Sequence, residues 1–325
     1  MEEVSGKPAA GVIGLGLIGS RVAACLRHAG HQVWLWNRTV RPEPNFLSSP
    51  AEIAEAARYI QIFVSNGDAL HAVLRAMLPA LTAEHVILNH ATVSPTDTLV
   101  AAEIIAEKHA SFLDAPFTGS RDAAAAGQLV YYIGGDPHVL ERVRSQLGAS
   151  SKQILQIGGI GQASVVKVAT NLISANAVAS LTEAFALLDR YGVELHKLPL
   201  ALENNAARSG VIDLKTPCML GADFEPRFSL KNMFKDVQIG LAMAEEKDIE
   251  LPAAGAFAGL AMAALQRGWG DADFSVISRF YDFPGQGHTL PEPSTPSPTA
   301  VTTPEVDSPA GDGFKNFWGL FRRRK

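Results

Sequence analysis

The sequence predicts an α/β protein in which a doubly wound Rossmann domain is followed by an all-α domain, joined through one long helix. Three observations lead to this prediction. Short apolar runs alternate with helical patterns over residues 10–156, which is typical of a parallel sheet covered by helices. One apolar stretch at 161–192 has the length and the flanking glycines of a single helix. After residue 192 the pattern stays helical as far as residue 268.

The composition and charge of the chain limit the classes of function that it can have. Hydrophobic residues make up 47% of the 325 residues and charged residues 19%, and the formal net charge of -5 provides no basic field for nucleic acid. Cys25 and Cys218 form no C-x-x-C pair, so we expect neither a metal site nor a disulfide framework. The acidic start has no apolar signal core, and no apolar run approaches the ~20 residues that span a bilayer. We therefore expect a cytoplasmic protein.

The first strand, at residues 10–13, leads into a glycine turn and a helix at 20–28. The pattern G-x-G-x-x-G between a strand and a helix is typical of a dinucleotide-binding turn. Gly14 permits the tight turn, Gly16 lets the backbone approach a pyrophosphate at the helix N-terminus, and Gly19 lets helix and strand pack closely. The residues of this turn that we expect to bind the cofactor are Gly14, Leu15, Gly16, Leu17 and Ile18.

The second strand, at residues 32–36, ends in Asn37, Arg38 and Thr39. An NAD site usually has an acidic residue here, which binds the ribose 2′-hydroxyl. A neutral Asn, a planar Arg and a Thr hydroxyl suit a 2′-phosphate instead. The sequence therefore favours NADP over NAD as the cofactor bound by these three residues.

Further strands are expected at 59–64, 85–89, 111–115, 129–133 and 153–156, with helices reaching Met77, starting at Ser94-Pro95 and covering 137–147. Ligands of an open parallel sheet lie beyond the carboxyl ends of its strands. This rule predicts that Val64, Ser65 and Thr92 lie near the cofactor. His90 belongs to the same edge and has two interpretations, an acid or base and an uninvolved loop histidine.

The long helix carries Lys167, Asn171 and Ser174 at i, i+4 and i+7, which predicts that all three lie on one face. Its other residues are apolar on almost every side, so we expect a helix that is buried all round. A buried ammonium needs a carboxylate partner or a wet cleft. The alternative is a lysine near the helix end whose ammonium reaches solvent.

Taken together, these motifs resemble the β-hydroxyacid dehydrogenase family, which is related to 6-phosphogluconate dehydrogenase. The resemblance covers roughly residues 8–284 and includes the blocks 14–19, 114–120 (Asp-Ala-Pro-Phe-Thr-Gly-Ser), 161–171 and 228–236. The last block, together with residues 37–39, is most similar to the NADPH-dependent branch that reduces glyoxylate and succinic semialdehyde.

The resemblance implies roles for individual residues. Lys167 would be the catalytic acid or base, and Asn171 would orient the substrate beside it. Thr92 and Lys235 would line the nicotinamide side of the cofactor.

The same resemblance implies that Thr118 and Gly119 hold a substrate carboxylate, with Ser120 next to them. Thr118 stands where the family usually has Ser. Ser120 replaces a commoner Gly, as it also does in the glyoxylate-reducing branch. These departures leave the size of the substrate open.

We accordingly expect an NADPH-dependent oxidoreductase of the 3-hydroxyacid dehydrogenase type, which reduces a small aldehyde or 2-oxo acid with Lys167 as proton donor. Two alternatives stay open. Imine reductases share this fold but usually carry another residue at the position of Lys167, and redox-silent NADP-binding scaffolds are relatives that have lost the lysine. A lysine at this position counts against both.

The predicted domain limits are 1–160 for the Rossmann domain, 161–284 for the helical domain and 285–325 for a Pro-, Ser- and Thr-rich tail that we expect to be disordered. Helices are expected at 197–207, 229–247 and 252–268. Because relatives associate through this domain and its composition is apolar, we expect a homodimer or a homotetramer.

The last residues, 313–325, interrupt the polar composition of the tail. Phe314, Phe317, Trp318 and Phe321 fall at i, i+3, i+4 and i+7, on one face of a helix, and four cationic residues follow. This pattern is compatible with docking to a membrane surface or a protein groove. A frayed end and docking onto the same subunit are the alternatives.

Overall fold

The structure is a computed structural model of the chain, and it describes residues 7–281 and residue 283. The strands in this part of the chain are β1 Ala10–Ile13, β2 Val33–Trp36, β3 Tyr59–Ile62, β4 Val86–Asn89, β5 Ser111–Asp114, β6 Phe117–Thr118, β7 Leu129–Gly134 and β8 Ser151–Gly158. The helices are α1 Gly19–His28, α2 Pro50–Ala56, α3 Gly67–Met77, α4 Pro95–Ala106, α5 Arg121–Ala125, α6 Pro137–Gly148, α7 Gln162–Arg190, α8 Lys197–Leu202, α9 Gly210–Leu220, α10 Leu230–Glu245 and α11 Pro252–Gln266. Short 3₁₀ segments follow at Leu78–Ala80, Trp269–Asp271 and Phe274–Tyr281.

The strands form one sheet in the order β2-β1-β3-β4-β5-β7-β6, with β8 paired to β7. Strands β1 to β5 are mutually parallel, and β7 runs antiparallel to β5 and β6. The chain passes from β1 to β2 on one side and returns to β3 on the other. The loops after β1 and β3 therefore meet at the crevice where open α/β sheets bind ligands.

Both faces of the sheet are covered, as expected for a doubly wound fold. Successive residues of β1 point to opposite faces, so Val12 lies in one core with Leu35, while Ile13 lies in the other with Ile60. This burial on both faces explains why the strands are continuous apolar runs in the sequence. A third core lies among the helices after the sheet.

Most predicted elements are confirmed to within a few residues at each end. One strand and three α-helices of the structure were not predicted. The strand β6 and the helices α2 and α5 have only 2, 7 and 5 residues, too short to show a period in the sequence. Helix α9 carries Pro217 in its interior, a residue that normally ends a helix. The helix expected at 197–207 is shorter and ends at Leu202.

The long helix is confirmed as α7, with 29 residues. The expectation that it is buried all round is wrong. Val178, Leu181 and Phe185 lie in the third core, whereas the side chains of Ile173 and Leu187 are 68% and 59% exposed on another face.

The expectation that no apolar segment is long enough to cross a bilayer is also wrong. By length and composition, α7 alone among the described helices is long and apolar enough, with a mean hydropathy of 1.3. One such helix is weak evidence for a membrane, because a helix in the core of a soluble protein passes the same test. A third of the most apolar 18-residue stretch of α7 is buried within the protein.

Candidate active site

The turn after β1 is constrained by close backbone contacts at two glycines. Gly14 has a φ of +93°, and a Cβ there would lie 1.9 Å from the carbonyl oxygen of Phe63. A Cβ on Gly19 would lie 2.0 Å from the carbonyl oxygen of Gly14. Gly16 is different, since it is exposed and an added Cβ would meet nothing within 4 Å. No neighbour among the described residues requires glycine at this position, and the open space in front of it suits the approach of a ligand.

The backbone at the start of α1 is free to bind an anion. The N–H groups of Gly16, Leu17 and Ile18 have no acceptor among the described residues. Ile18 provides no side-chain cap, and the first turn of α1 contains no acidic residue. Unpaired N–H groups and the positive end of the helix dipole therefore point to the same space. The turn fits the pyrophosphate of a dinucleotide.

Asn37 holds this turn in place. Its Oδ1 accepts a hydrogen bond of 3.0 Å from the backbone N of Leu15, and its Nδ2 donates to the carbonyl oxygen of Thr39 at 2.9 Å. Arg38 and Thr39 are exposed at the end of β2, and the Arg38 guanidinium makes no hydrogen bond or ion pair with the described residues. The side chains free to bind a cofactor phosphate here are thus those of Arg38 and Thr39, because the amide of Asn37 is engaged.

The other residues predicted near the cofactor lie at the same edge of the sheet. Val64 and Ser65 follow β3, where the side chain of Ser65 is exposed, and Thr92 follows β4, where it is half-buried. These loops are adjacent because β3 and β4 pair in parallel.

His90 lies below this edge and takes no part in it. Its Nδ1 donates to the carbonyl oxygen of Ala115 at 2.6 Å, its Nε2 lies 3.1 Å from Gln61 Oε1, and its ring stacks on Phe63 with centroids 4.5 Å apart. Burial lowers the pKa of His90 to about 4, although the hydrogen bond to Ala115 opposes this shift. The ring is neutral at neutral pH and packs in the core, so the acid or base interpretation is wrong.

The N-terminus of α7 is joined to the sheet by Asp114, the last residue of β5. Asp114 Oδ2 accepts hydrogen bonds from the backbone N of Gly161 at 3.1 Å and of Ser164 at 2.9 Å, and Oδ1 accepts one from Ser164 Oγ at 2.8 Å. Burial raises the pKa of Asp114 to about 6, and these hydrogen bonds oppose the rise. The contact fixes the helix about one turn before Lys167.

Lys167 begins a chain of polar contacts between α7 and α10. Lys167 Nζ donates to Asn171 Oδ1 at 3.0 Å, and Asn171 Nδ2 donates to Asp236 Oδ2 at 2.6 Å. Asp236 Oδ1 lies 2.8 Å from Lys235 Nζ, which donates to the carbonyl oxygen of Thr92 at 2.5 Å. The network thus runs from the long helix to the loop after β4.

The Lys167 ammonium is partly desolvated. Burial lowers the pKa of Lys167 to about 8; the negative charge of Asp236 raises it and the positive charge of Lys235 lowers it further. Lys167 Nζ donates to Asn171, whose amide donates to the buried carboxylate of Asp236, so the ammonium has a hydrogen-bonded partner within the protein. Ser174 does not join the pair, because its Oγ donates to the carbonyl oxygen of Thr170 at 3.0 Å.

Thr118, Gly119 and Ser120 form the loop between β6 and α5. The Thr118 hydroxyl is half-buried and has no hydrogen bond to the described residues. Gly119 is exposed with a φ of +138°, a backbone conformation that side chains rarely adopt. Ser120 is the N-cap of α5, since its Oγ accepts a hydrogen bond of 3.2 Å from the backbone N of Ala123. Thr118 and Gly119 are therefore the members of the loop that are free to bind a ligand.

Asp236 is the one member of the network to which the sequence analysis assigned no role. It is 2% exposed, on the side of α10 that also buries Met233, Val237 and Gly240. A carboxylate among apolar residues at helical spacing is the signal that identifies it, because a buried charge requires polar partners.

Two family models match consecutive parts of the chain and together cover most of its described residues. The model described as the NAD binding domain of 6-phosphogluconate dehydrogenase matches residues 9–158. The model described as the NAD-binding domain of NADP-dependent 3-hydroxyisobutyrate dehydrogenase matches residues 161–281.

The proteins that are similar to this chain include a reductase, a nuclear factor and a dehydrogenase. Glyoxylate/succinic semialdehyde reductase 1 of Arabidopsis thaliana is 27% identical over 277 residues, which are 82% of this chain and 96% of that protein. The cytokine-like nuclear factor N-PAC of Drosophila pseudoobscura pseudoobscura is 29% identical over 253 residues, 74% of this chain but only 41% of that protein. A solved 3-hydroxyisobutyrate dehydrogenase of Mycobacterium tuberculosis with L-serine has the same fold, with a TM-score of 0.76 at 23% identity, over 85% of this chain and 99% of the other.

Proposed function

Because the chain belongs to the β-hydroxyacid dehydrogenase family, we propose that it is an NADPH-dependent oxidoreductase that reduces a small aldehyde or 2-oxo acid. In the reverse direction it would act as a 3-hydroxyacid dehydrogenase. The observation that carries this proposal is the hydrogen-bonded pair of Lys167 and Asn171, since Lys167 is partly desolvated and has a pKa lowered to about 8.

Lys167 is the proton donor of the proposed reaction. A bound nicotinamide dinucleotide supplies the hydride, and the protein must then stabilise and protonate the carbonyl oxygen that receives charge. The ammonium of Lys167 does both, first as a positive charge beside the developing alkoxide and then as a general acid. A pKa near 8 suits this role, because the amine is mostly protonated at neutral pH and gives up its proton readily.

Each substrate and cofactor group has a candidate partner. The Thr118 hydroxyl and the backbone N–H of Gly119 would hold a substrate carboxylate, and Asn171 would orient the carbonyl beside Lys167. The glycine turn at 14–18 would hold the pyrophosphate, with Thr92 and Lys235 on the nicotinamide side. Arg38 and the Thr39 hydroxyl would bind a 2′-phosphate, which supports NADPH over NADH.

The names of relatives define the substrates to be tested. Glyoxylate, succinic semialdehyde and 2-hydroxy-3-oxopropionate name the activities of similar reductases, and we place the natural substrate in this class of small carbonyl acids. NADPH absorbance is followed with each of these compounds, with 3-hydroxyisobutyrate and NADP for the reverse reaction, and with ketone–amine mixtures.

The Lys167→Ala variant tests the assignment of the proton donor. We expect kcat to fall at least ~10²-fold while NADPH binding is nearly unchanged. Lys197→Ala is the matched control, because this lysine is exposed on α8. A Lys167→Ala variant with near-native kcat contradicts the mechanism. Turnover of imines alone indicates an imine reductase, and tight NADPH binding without turnover indicates a redox-silent scaffold.

A further inference from the structure

The amide of Asn171 has only one orientation that satisfies both of its neighbours. An ammonium can only donate hydrogen bonds, and a carboxylate can only accept them. Lys167 therefore requires the Asn171 oxygen, while Asp236 requires the Asn171 nitrogen, in agreement with the 3.0 Å and 2.6 Å contacts. The amide would lose this constraint if Asp236 carried no charge.

Asp236 is buried and contacts Asn171 and Lys235, so any hydrogen-bonded effect it has on Lys167 passes through neighbouring side chains. It is 2% exposed and lies 65 residues from Asn171 in the sequence, so only the packing of α10 against α7 brings the two together. Its Oδ1 accepts no directed hydrogen bond from the described residues and faces the Lys235 ammonium at 2.8 Å.

We infer that Asp236 is a positioning residue that acts on Lys167 through the Asn171 amide, and that Lys235 balances its charge. This inference goes beyond the proposed function but rests on it for the role of Lys167 as proton donor. Asp236 keeps the Asn171 oxygen directed at the Lys167 ammonium, which leaves the other ammonium protons for the substrate oxygen.

The two charges have opposite effects on the proton affinity of Lys167. The carboxylate of Asp236 favours the charged amine, whereas the ammonium of Lys235 and the desolvation of the site disfavour it. Among the described residues, the charged side chains that shift the pKa of Lys167 are Asp236 and Lys235, both on α10. Together they keep Lys167 protonated at neutral pH without making the proton too tightly bound to transfer.

The test measures the titration of Lys167 without relying on turnover. Full-length, cofactor-free protein is treated with a trace of acetic anhydride over a range of pH, and acetylation of Lys167 is quantified by peptide mass spectrometry. Only the neutral amine reacts, so the midpoint of the reactivity curve reports its pKa. The exposed Lys152 serves as an internal reference for the reagent.

Substitution of each charge should move this midpoint in a different direction. Asp236→Asn removes the negative charge at nearly constant shape, and we expect the midpoint to fall by about one pH unit. Asp236→Glu keeps the charge and should retain most of the native value. Lys235→Met should raise the midpoint. Asp271→Asn is the matched control, because this exposed carboxylate pairs with Lys231 of the same α10, and it should leave the midpoint unchanged.

The outcomes separate this inference from the proposed function. Coincident midpoints for the native protein, Asp236→Asn and Lys235→Met would overturn the inference, whatever the activity. If Asp236→Asn fails to fold, as judged by thermal unfolding, the Lys235→Met result decides alone, since the side chain of Lys235 is partly exposed and its loss is milder. Displaced midpoints in a protein that reduces no tested carbonyl support the inference and contradict the proposed function. In an active enzyme, the pH profile of kcat should shift with the midpoints.

Discussion

At the residue scale, cofactor choice depends on how the polar groups after β2 are already used. Both ends of the Asn37 amide are hydrogen-bonded to the backbone: Oδ1 accepts from the N–H of Leu15, and Nδ2 donates to the carbonyl oxygen of Thr39. Asn37 therefore holds the glycine turn. Under the proposed function, the exposed guanidinium of Arg38 is the charged group that would discriminate NADPH from NADH.

Substitution of Arg38 by Ala should weaken NADPH binding ten- to a hundredfold, since a charge-assisted hydrogen bond contributes about 1.5–3 kcal/mol. NADH affinity should barely change, because NADH has no 2′-phosphate. Titration calorimetry measures both. Arg58→Ala is the control, as this arginine is exposed at the start of β3 and pairs with Glu84. Native protein that binds NADH as tightly as NADPH would refute the NADPH assignment.

The lowered pKa of Lys167 predicts opposite pH dependences for the two directions of the reaction. Reduction needs the protonated amine, so its kcat should fall as the pH rises through about 8. Oxidation of the hydroxy acid needs the neutral amine, so its kcat should rise over the same range. Initial rates in both directions, measured from about pH 6 to about pH 10, check this. If both rates change in the same direction, Lys167 is not the group that transfers the proton.

At the element scale, the position of α7 depends on its attachment to β5. The carboxylate of Asp114 pairs the backbone N–H groups of Gly161 and Ser164 and the Ser164 hydroxyl, all of them buried. The same chain segment continues into Thr118 and Gly119. Asp114 thus connects the sheet to the helix that carries Lys167, and it lies in the same chain segment as the loop that we propose binds the substrate.

Asp114→Ala should destabilise the protein by at least ~1–3 kcal/mol, because it leaves buried donors without an acceptor. Asp136→Ala is the matched control: this residue is exposed and caps α6, and loss of such a cap costs about 1 kcal/mol. Urea unfolding measures the free energy of unfolding of each variant. A smaller loss for Asp114→Ala than for Asp136→Ala would contradict the role of Asp114 as the anchor of α7.

The same anchor predicts a pH effect on stability. The pKa of Asp114 is about 6 in the folded state, above its ordinary value of 3.8, so the folded protein binds this proton more tightly than the unfolded chain. The protonated carboxyl group therefore contributes stability that is fully present below about pH 3.8 and is lost as the pH rises from there through about 6. The difference in stability between the native protein and Asp114→Ala should be larger near pH 5 than near pH 7.

At the scale of the whole molecule, α7 presents two different faces. One face carries Lys167 and Asn171 towards α10, and another exposes Val165, Ile173 and Leu187. Exposed apolar side chains along one long helix are typical of a surface that is covered by a partner. We propose that this face contributes to a homodimer or a homotetramer.

Ile173→Glu should weaken the assembly, because it places a charge in the centre of the exposed apolar face. Its side chain is 68% exposed, so the fold of the single chain should tolerate the change. Val40→Glu is the control, at a position that is 79% exposed elsewhere in the molecule. Multi-angle light scattering gives the mass. Native protein that remains at the 34.6 kDa of one chain at micromolar concentration would exclude a stable oligomer.

The aromatic and basic segment at 313–325 lies outside the described residues, and its proposed docking rests on the sequence alone. Four aromatic residues at helical spacing, followed by the cationic residues 322–325, predict binding to anionic lipid. Co-sedimentation with anionic vesicles compares the full-length chain with a version that ends at Pro284. We expect binding by the full-length chain only. Equal and negligible binding by both would exclude the membrane interpretation and leave docking to a protein or to the same subunit.

The sequence by itself determined the features that depend on local geometry. Alternation of strands and helices predicted the Rossmann sheet, and the spacing of the glycines predicted the turn after β1, because both depend on residues close together in the chain. The pairing of Lys167 with Asn171 was predictable for the same reason, since residues at i and i+4 are neighbours on any α-helix.

The tertiary structure decided which of these groups are accessible and what they meet. Asp236 joins Asn171 only because α10 packs against α7. His90 is held in the core by the side chains of Gln61 and Phe63 and by the backbone carbonyl of Ala115. The exposed Val165, Ile173 and Leu187 of α7 are as apolar as its buried Val178, Leu181 and Phe185. Hydrophobic periodicity specifies the faces of a helix, but which face is buried depends on segments distant in the sequence, and their packing is not encoded in any local pattern.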